Sequence, residues 1–201
     1  MEVKNVIVGV IFVVILYVVY IYAFKKSYSS LIKTQKTDTS IKLDVSGNSS
    51  SNAYSMWIFI SEWNNTDNFK HVMTRLSNSS SGNKIYSPTV YLDKNTNLLN
   101  IKYQYDDDSE KSHKTISEKS PITISDFPIQ SWTNLIISTN TTTVDIYING
   151  KLVRSHGLPQ PLNNPKGKLY LGRLNKINKT QYPSYPTDGG KDNLTSYQGY
   201  V

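Results

Sequence analysis

Three consecutive aspartates, Asp106, Asp107 and Asp108, are the residues of this sequence best suited to holding a metal ion. Clustered carboxylates are the ligands that a hard cation such as calcium prefers. The spacing of an EF-hand loop is missing, and the sequence places no partner ligands beside them. A solvated acidic loop is therefore the favoured interpretation, calcium is the alternative, and no other cofactor is expected.

Residues that often carry acid–base catalysis are few and dispersed. The histidines His71, His113 and His156 do not lie at metal-ligand spacing and are expected to be ordinary surface residues. Glycoside hydrolysis needs two carboxylates about 5–9 Å apart, and a Glu-x-Asp-x-x-Glu pattern is missing from the sequence. A Ser/His/Asp order and a phosphate-binding glycine loop are missing as well. We therefore expect no enzymatic activity, no catalytic residues and no metal ligands.

Aromatic residues in predicted loops are the strongest candidates for contacts with a partner. They are Trp63, Tyr182, Tyr185 and Tyr197. Such rings stack on sugars or fill pockets of a protein partner. The alternative is that they cover the edges of a sheet, and the sequence leaves both interpretations open.

The element that must position these residues is a β-hairpin around Asn149 and Gly150. Asn-Gly between two apolar runs, 144–148 and 151–153, predicts a two-residue turn, because both turn residues must accept positive φ. This turn predicts three cross-strand pairs, which are Ile148 with Lys151, Tyr147 with Leu152, and Ile146 with Val153. The alternation then places Val144, Ile146 and Ile148 on a core face together with Val153.

Two further segments complete the predicted core. Trp132 opens the strand before the hairpin and is expected to fill the middle of the core. Residues 168–172 are expected to form one more strand, ended by Gly172. Upstream, the segment from Tyr54 to Trp63 predicts a strand with apolar residues on both faces. Trp57 and Phe59 lie on one face, and Ile58 lies on the opposite face with the other even-numbered apolar residues. Such a strand is either covered on both sides or uses one face for contacts.

The order of Trp132, the 144–153 hairpin and Leu169-Tyr170-Leu171-Gly172 resembles the laminin-G-like branch of the concanavalin A-like jelly rolls. The segment 54–60 is similar to the early strand of that family. The resemblance covers about residues 41–201, implies an all-β sandwich, and includes no catalytic motif. The last strand of the family usually extends further than Gly199-Tyr200-Val201, so a short closing strand, an absent one or a trimmed chain is expected.

An N-terminal transmembrane anchor is predicted from the nineteen uncharged residues between Val6 and Phe24. Bulky aromatics at the end of this span disfavour a cleaved signal peptide. Lysines follow the span at Lys25 and Lys26, and the positive-inside rule therefore places the C-terminal domain on the cytosolic side. Six Asn-x-Ser/Thr sequons oppose this weakly, because the chain is rich in Asn, Ser and Thr. The absence of cysteine agrees with a reducing compartment.

Three segments are thus predicted: an anchor over residues 1–26, a polar linker over 27–40 and a sandwich over 41–201. The net charge of +7 is scattered and forms no basic stripe, so nucleic acid is not an expected partner. The expected function is a non-catalytic, membrane-tethered interaction module whose partners are the lipid bilayer and a neighbouring protein. The combination resembles the membrane-anchored minor virion (capsid) proteins of large DNA viruses, which implies a link between an internal membrane and a capsid layer. The alternative is a membrane-anchored lectin that binds carbohydrate.

Overall fold

A computed structural model describes most of the chain. The described residues are 12–18, 20, 34–38, 40–45, 51–63, 68–78, 84–106, 115–117, 121–159, 161–162, 167–173 and 194–201. They belong to two compact units, Met1–Lys33 and Thr34–Val201.

The second unit is built of antiparallel strands in two main sheets. In chain order the strands are β1 (Ser40–Leu43), β2 (Ser51–Glu62), β3 (Phe69–Asn78), β4 (Lys84–Leu92), β5 (Leu99–Lys102), β6 (Gln104–Asp106), β7 (Thr115–Ser117), β8 (Ile122–Ile124), β9 (Thr133–Asn140), β10 (Thr143–Ile148), β11 (Lys151–Gly157), β12 (Leu169–Gly172), β13 (Leu194–Ser196) and β14 (Gln198–Tyr200). One sheet has the order β1-β12-β3-β4-β5-β8, with β13 added parallel to β3, and the other has the order β11-β10-β9-β2-β14. Strands β6 and β7 form a separate pair. The predicted all-β sandwich is confirmed.

The hydrophobic core lies between the two sheets. Along β9 the burial alternates strictly, so that Leu135 and Ile137 are fully buried while the residues between them are not. Such an alternation is expected of a strand with one face toward a core and one face toward solvent. Ile58 on β2 and Ile146 on β10 continue the same buried layer across the sheet.

The Asn149–Gly150 turn forms as predicted, with φ of 50° and 79° at its two residues. Ile148 pairs with Lys151 and Tyr147 with Leu152, which confirms two of the three predicted pairs. The third is wrong, because a register shift between Ile146 and Tyr147 places Ile146 opposite Arg154. A bulge of this kind changes the face on which the following residues lie.

Two residues assigned to the core from the sequence are exposed instead. Val153 lies at the register shift, between the paired residues Leu152 and Arg154, and is 39% exposed. Trp132 is 46% exposed and lies outside the core rather than in its middle. The prediction of an interior position was wrong for Trp132. Side chains alternate along β9, and Trp132 lies two positions before Asn134, on the outward-facing side of the strand.

The chain enters the sandwich at residues 34–38, which lie within the predicted linker. The amide of Gln35 donates to the carbonyl of Val201 over 2.9 Å, and the amide of Val201 donates back to the carbonyl of Gln35 over 3.0 Å. Thr37 donates its amide to the carbonyl of Gly199. These residues thus lie alongside β14, so the first described residues of the unit are paired with its last strand.

In the first unit, residues 12–18 and 20 are helical and their apolar side chains are largely exposed. Within the residues described, this helix is too short to qualify as a membrane span. The predicted anchor positions Val6, Phe24, Lys25 and Lys26 lie outside the described residues.

Candidate binding surface

Strand β2 presents aromatic side chains on the outer face of the five-stranded sheet. Ile58 and Ile60 are each 1% exposed and point into the core. Since successive side chains of a strand alternate, Trp57 and Phe59 point outward. Trp57 is 57% exposed, while Phe59 is half-buried. The described part of the chain thus leaves the outer face of β2 partly uncovered, and the use of this face for contacts stays a prediction.

Phe59 is surrounded by two further aromatic rings from neighbouring strands. The ring of Trp132 lies 5.5 Å away and the ring of Tyr200 lies 6.4 Å away, measured between centroids. Trp132 and Tyr200 are themselves 6.4 Å apart, so the three rings form a triangle of tilted contacts. Such tilted pairs are favoured over parallel face-to-face stacking. We call Trp57, Phe59, Trp132 and Tyr200 the outer aromatic patch.

The positions of these rings follow from the strand register. On one side of β2, Ile58 pairs with Thr133, the first residue of β9. Because the strands are antiparallel, Trp132, the residue before Thr133, lies beside Phe59, the residue after Ile58. On the other side, Tyr200 of β14 pairs directly with Phe59. The approach of β14 requires glycine at position 199, because a Cβ there would lie 1.8 Å from the carbonyl oxygen of Phe59.

The outer aromatic patch provides shape and apolar area rather than acid–base chemistry. Its four side chains include no carboxylate, amine or imidazole group. Each indole offers one N–H donor beside a large apolar ring. A surface of this kind suits burial against an apolar or amphipathic partner.

Trp63 is half-buried and its indole is bonded within the protein. Its indole Nε1 donates to the carbonyl of Lys94 over 3.0 Å, and the ammonium of Lys70 lies 4.4 Å from the centre of its ring. Lys70 donates to the same carbonyl over 2.8 Å. Burial lowers the pKa of Lys70, and nearby Asp93 acts in the opposite direction. The cluster ties the end of β2 to the loop after β4.

The predicted contact residue Tyr197 is not an exposed loop residue. It is 1% exposed and lies between β13 and β14, and burial raises the pKa of its phenol. Its carbonyl accepts a hydrogen bond from the hydroxyl of Thr37. The prediction of Tyr197 as a loop residue open to a partner is therefore wrong, while Tyr182 and Tyr185 lie outside the described residues.

The histidine and aspartate candidates give no metal centre in the described part of the chain. His71 is fully buried, which contradicts its interpretation as a surface residue. Within the described ranges, no three His, Asp or Glu side chains come together. The backbone of Asp106 belongs to β6, and Asp107, Asp108 and His113 lie outside the described residues.

Two members of the outer aromatic patch, Trp132 and Tyr200, were missed as contact residues from the sequence. The outward position of Trp132 could have been predicted from alternation along the strand. Leu135 and Ile137, at odd-numbered positions, are core residues, so the even-numbered Trp132 belongs to the opposite face. Tyr200 had no local signal, because its position depends on the pairing of β14 with β2 at a distance in sequence.

Comparison with protein-family models gives one match, to the family described as the concanavalin A-like lectin/glucanases superfamily, over residues 34–198. The search of curated proteins finds no match.

Solved structures share the fold at low sequence identity. An endo-beta-1,4-glucuronan lyase from the fungus Trichoderma reesei is 13% identical with a TM-score of 0.51, over 77% of this chain and 72% of that chain. A galectin from Caenorhabditis elegans is 11% identical with a TM-score of 0.47, over 71% of this chain and 90% of that chain. The botulinum neurotoxin serotype D binding domain is 16% identical with a TM-score of 0.47, over 71% of this chain and 34% of that chain. The protein thus spans about a third of the neurotoxin chains that it matches.

Proposed function

The chain belongs to the concanavalin A-like lectin/glucanase superfamily, and we propose that it is a non-catalytic binding module held at a membrane by its N-terminal segment. Its fold is one that carries both lectins and enzymes, so the function has to be argued from the site rather than from the architecture. The site that supports binding best is the outer aromatic patch.

The observation that carries this proposal is the exposure of two tryptophans on one sheet face. Trp57 is 57% exposed and Trp132 is 46% exposed. Large exposed aromatic clusters on a sandwich are uncommon unless a partner covers them. Together the two indoles expose roughly 200 Å² of surface, and burying it contributes about 5 kcal/mol before the entropic costs of association.

Tethering at a membrane is supported by the sequence of the first unit. The span from Val6 to Phe24 is uncharged and long enough, as a helix, to cross a bilayer. Lysines at positions 25 and 26 favour a cytosolic location for the sandwich. A tether raises the local concentration of the module at the membrane, so that even a weak contact becomes occupied.

A neighbouring protein is the second partner that we propose. Tyr182 and Tyr185 remain predicted contacts for it, and alanine at either tyrosine is expected to weaken that contact. A minor virion protein between an internal membrane and a capsid layer is the setting that this arrangement fits.

The alternative function is a membrane-anchored lectin, which a glycan array of the detergent-solubilised full chain tests, with and without calcium. Specific, sugar-competable binding at micromolar strength would favour the lectin, with carbohydrate rather than protein as the partner.

Membrane extraction tests the tether directly. The full chain is expected to stay in the membrane pellet after alkaline carbonate treatment. The variant Ile15→Lys/Leu16→Lys places two charges in the apolar span at a cost of about 2.5–3.5 kcal/mol each and is expected to release the chain. The matched control Ser29→Lys/Ser30→Lys adds the same charges outside the span and is expected to remain bound. Release of the unmodified chain by carbonate would contradict the tether.

A further inference from the structure

We propose that the outer aromatic patch docks on the lipid–water interface of the membrane to which the chain is tethered, so that the five-stranded sheet lies against the bilayer. This inference rests on the proposed function, because it names the partner of the surface described above. It assigns the patch to lipid and leaves the protein neighbour to other parts of the module.

The first argument is the place of the patch beside the entry of the tether. Tyr200, one of its rings, pairs with Lys36. The reciprocal hydrogen bonds between Gln35 and Val201 then fix the first residues of the sandwich against the strand that carries Tyr200. The first described residues of the sandwich therefore lie beside the patch.

The second argument is the length of chain between the apolar span and this point. Nine residues, 25–33, separate Phe24 from Thr34. Even fully extended, they reach no further than about 33 Å. A domain tethered this closely has its entry edge near the headgroups, and an aromatic surface at that edge meets the interface first.

The third argument is the chemistry of the surface. Tryptophan and tyrosine are the side chains enriched at membrane–water interfaces, because they combine an apolar ring with a polar hydrogen-bonding group. The patch contains Trp132 and Tyr200 packed around Phe59, and Trp57 on the same face of β2. Lys36, opposite Tyr200, adds a positive charge of the kind that anionic headgroups attract.

Tryptophan fluorescence provides a test on the full chain. The protein has three tryptophans, Trp57, Trp63 and Trp132, all of them in the sandwich, so the N-terminal segment contributes no signal. The full chain is reconstituted into phosphatidylcholine/phosphatidylserine vesicles, with or without brominated acyl chains that quench nearby indoles. The variant Trp57→Phe/Trp132→Phe keeps aromatic rings in the patch and leaves Trp63, whose Nε1 is bonded to the carbonyl of Lys94, as the internal control.

Brominated lipid is expected to lower the emission of the wild-type chain by about half or more, since interfacial indoles lie at the level of the headgroups. The emission of the double variant is expected to change little. Vesicle flotation, measured on the same samples, reports the tether separately. A chain that floats but shows no quenching, or the same quenching in both proteins, would overturn the docking of the patch while leaving the tether intact. A chain that fails to float would overturn the tether and the docking together.

Discussion

The imidazole Nδ1 of His71 lies 2.6 Å from the carbonyl oxygen of Gly172. This contact joins β3 to the last residue of β12. A carbonyl oxygen can only accept, so Nδ1 carries the proton and donates it. The second ring nitrogen, Nε2, lies 2.7 Å from the hydroxyl of Thr74. Burial lowers the pKa of the ring and favours its neutral form, in which Nε2 accepts a hydrogen bond from this hydroxyl.

This buried histidine predicts that the fold loses stability in acid. Burial lowers the pKa of His71 to about 4, despite the opposing effect of the Gly172 carbonyl. Because the unfolded chain binds the proton at an ordinary pKa near 6.5, stability is full above about pH 6.5 and falls as the pH drops toward 4. The expected loss is up to about 3 kcal/mol.

Urea unfolding at pH 7, 6, 5 and 4 measures this loss. The variant His71→Asn retains a donor for the Gly172 carbonyl but cannot titrate, and its stability is expected to vary less with pH than that of the wild type. His156→Asn, on edge strand β11, is the matched control and should keep the wild-type dependence. Identical pH profiles for wild type and His71→Asn would contradict the assignment.

Gly199→Ala is expected to destabilise the sandwich by about 2 kcal/mol or more, because overpacking against backbone cannot be relieved by a rotamer change. The new Cβ would meet the carbonyl oxygen of Phe59 at 1.8 Å and push β14 away from β2. Gly157→Ala is the control, since a Cβ there has no described neighbour within 4 Å. Thermal unfolding of both variants provides the comparison, and equal melting temperatures would argue against the pairing of β14.

Substitution of the hairpin turn tests the element around which the five-stranded sheet is built. Asn149→Val/Gly150→Val forces β-branched residues into positive φ and is expected to cost more than about 2 kcal/mol. It also removes the side-chain oxygen of Asn149, which accepts a 2.8 Å hydrogen bond from the backbone amide of Asn134. Lys151→Val, at an exposed strand position beside the turn, should be nearly neutral. Unchanged unfolding of the double variant would reject the role of the turn.

Alanine at Tyr197 is expected to destabilise the protein much more than alanine at Tyr200, although the two residues are only three positions apart. Tyr197→Ala removes a fully buried ring and should cost about 3–5 kcal/mol, as large-to-small changes in a core do. Tyr200→Ala removes a ring that is 36% exposed and should cost less than about 1.5 kcal/mol. Chemical denaturation distinguishes the two, and a larger loss for Tyr200→Ala would contradict the burial of Tyr197.

The local parts of this fold could be predicted from the sequence. The Asn149–Gly150 turn depends on the conformational freedom of two adjacent residues, and the strands around it follow from alternation. The outward face of β2 was visible in the same way, since Trp57 and Phe59 alternate with Ile58 and Ile60. The laminin-G-like sandwich was predicted from the resemblance of these elements, in their order, to that family.

The parts that sequence reasoning missed depend on contacts between distant residues. The register shift at Tyr147 follows from a bulge that alternation alone does not reveal. The burial of His71 requires Gly172, a hundred residues away in sequence, as its partner. Tyr200 comes to the patch because β14 pairs with β2, far away in sequence, and no local pattern of residues indicates this pairing.

Hydroxyl-radical labelling of the tryptophans tests the central claim most directly, namely that the outer aromatic patch is the occupied binding surface of a membrane-held module. The rates of oxidation of Trp57 and Trp132 are compared between the full chain in its membrane and the released variant Ile15→Lys/Leu16→Lys, with Trp63 as the internal reference. We predict that Trp57 and Trp132 are oxidised several-fold more slowly in the membrane-held chain, while the rate at Trp63 is unchanged. Equal rates at Trp57 and Trp132 in the two proteins would contradict the claim.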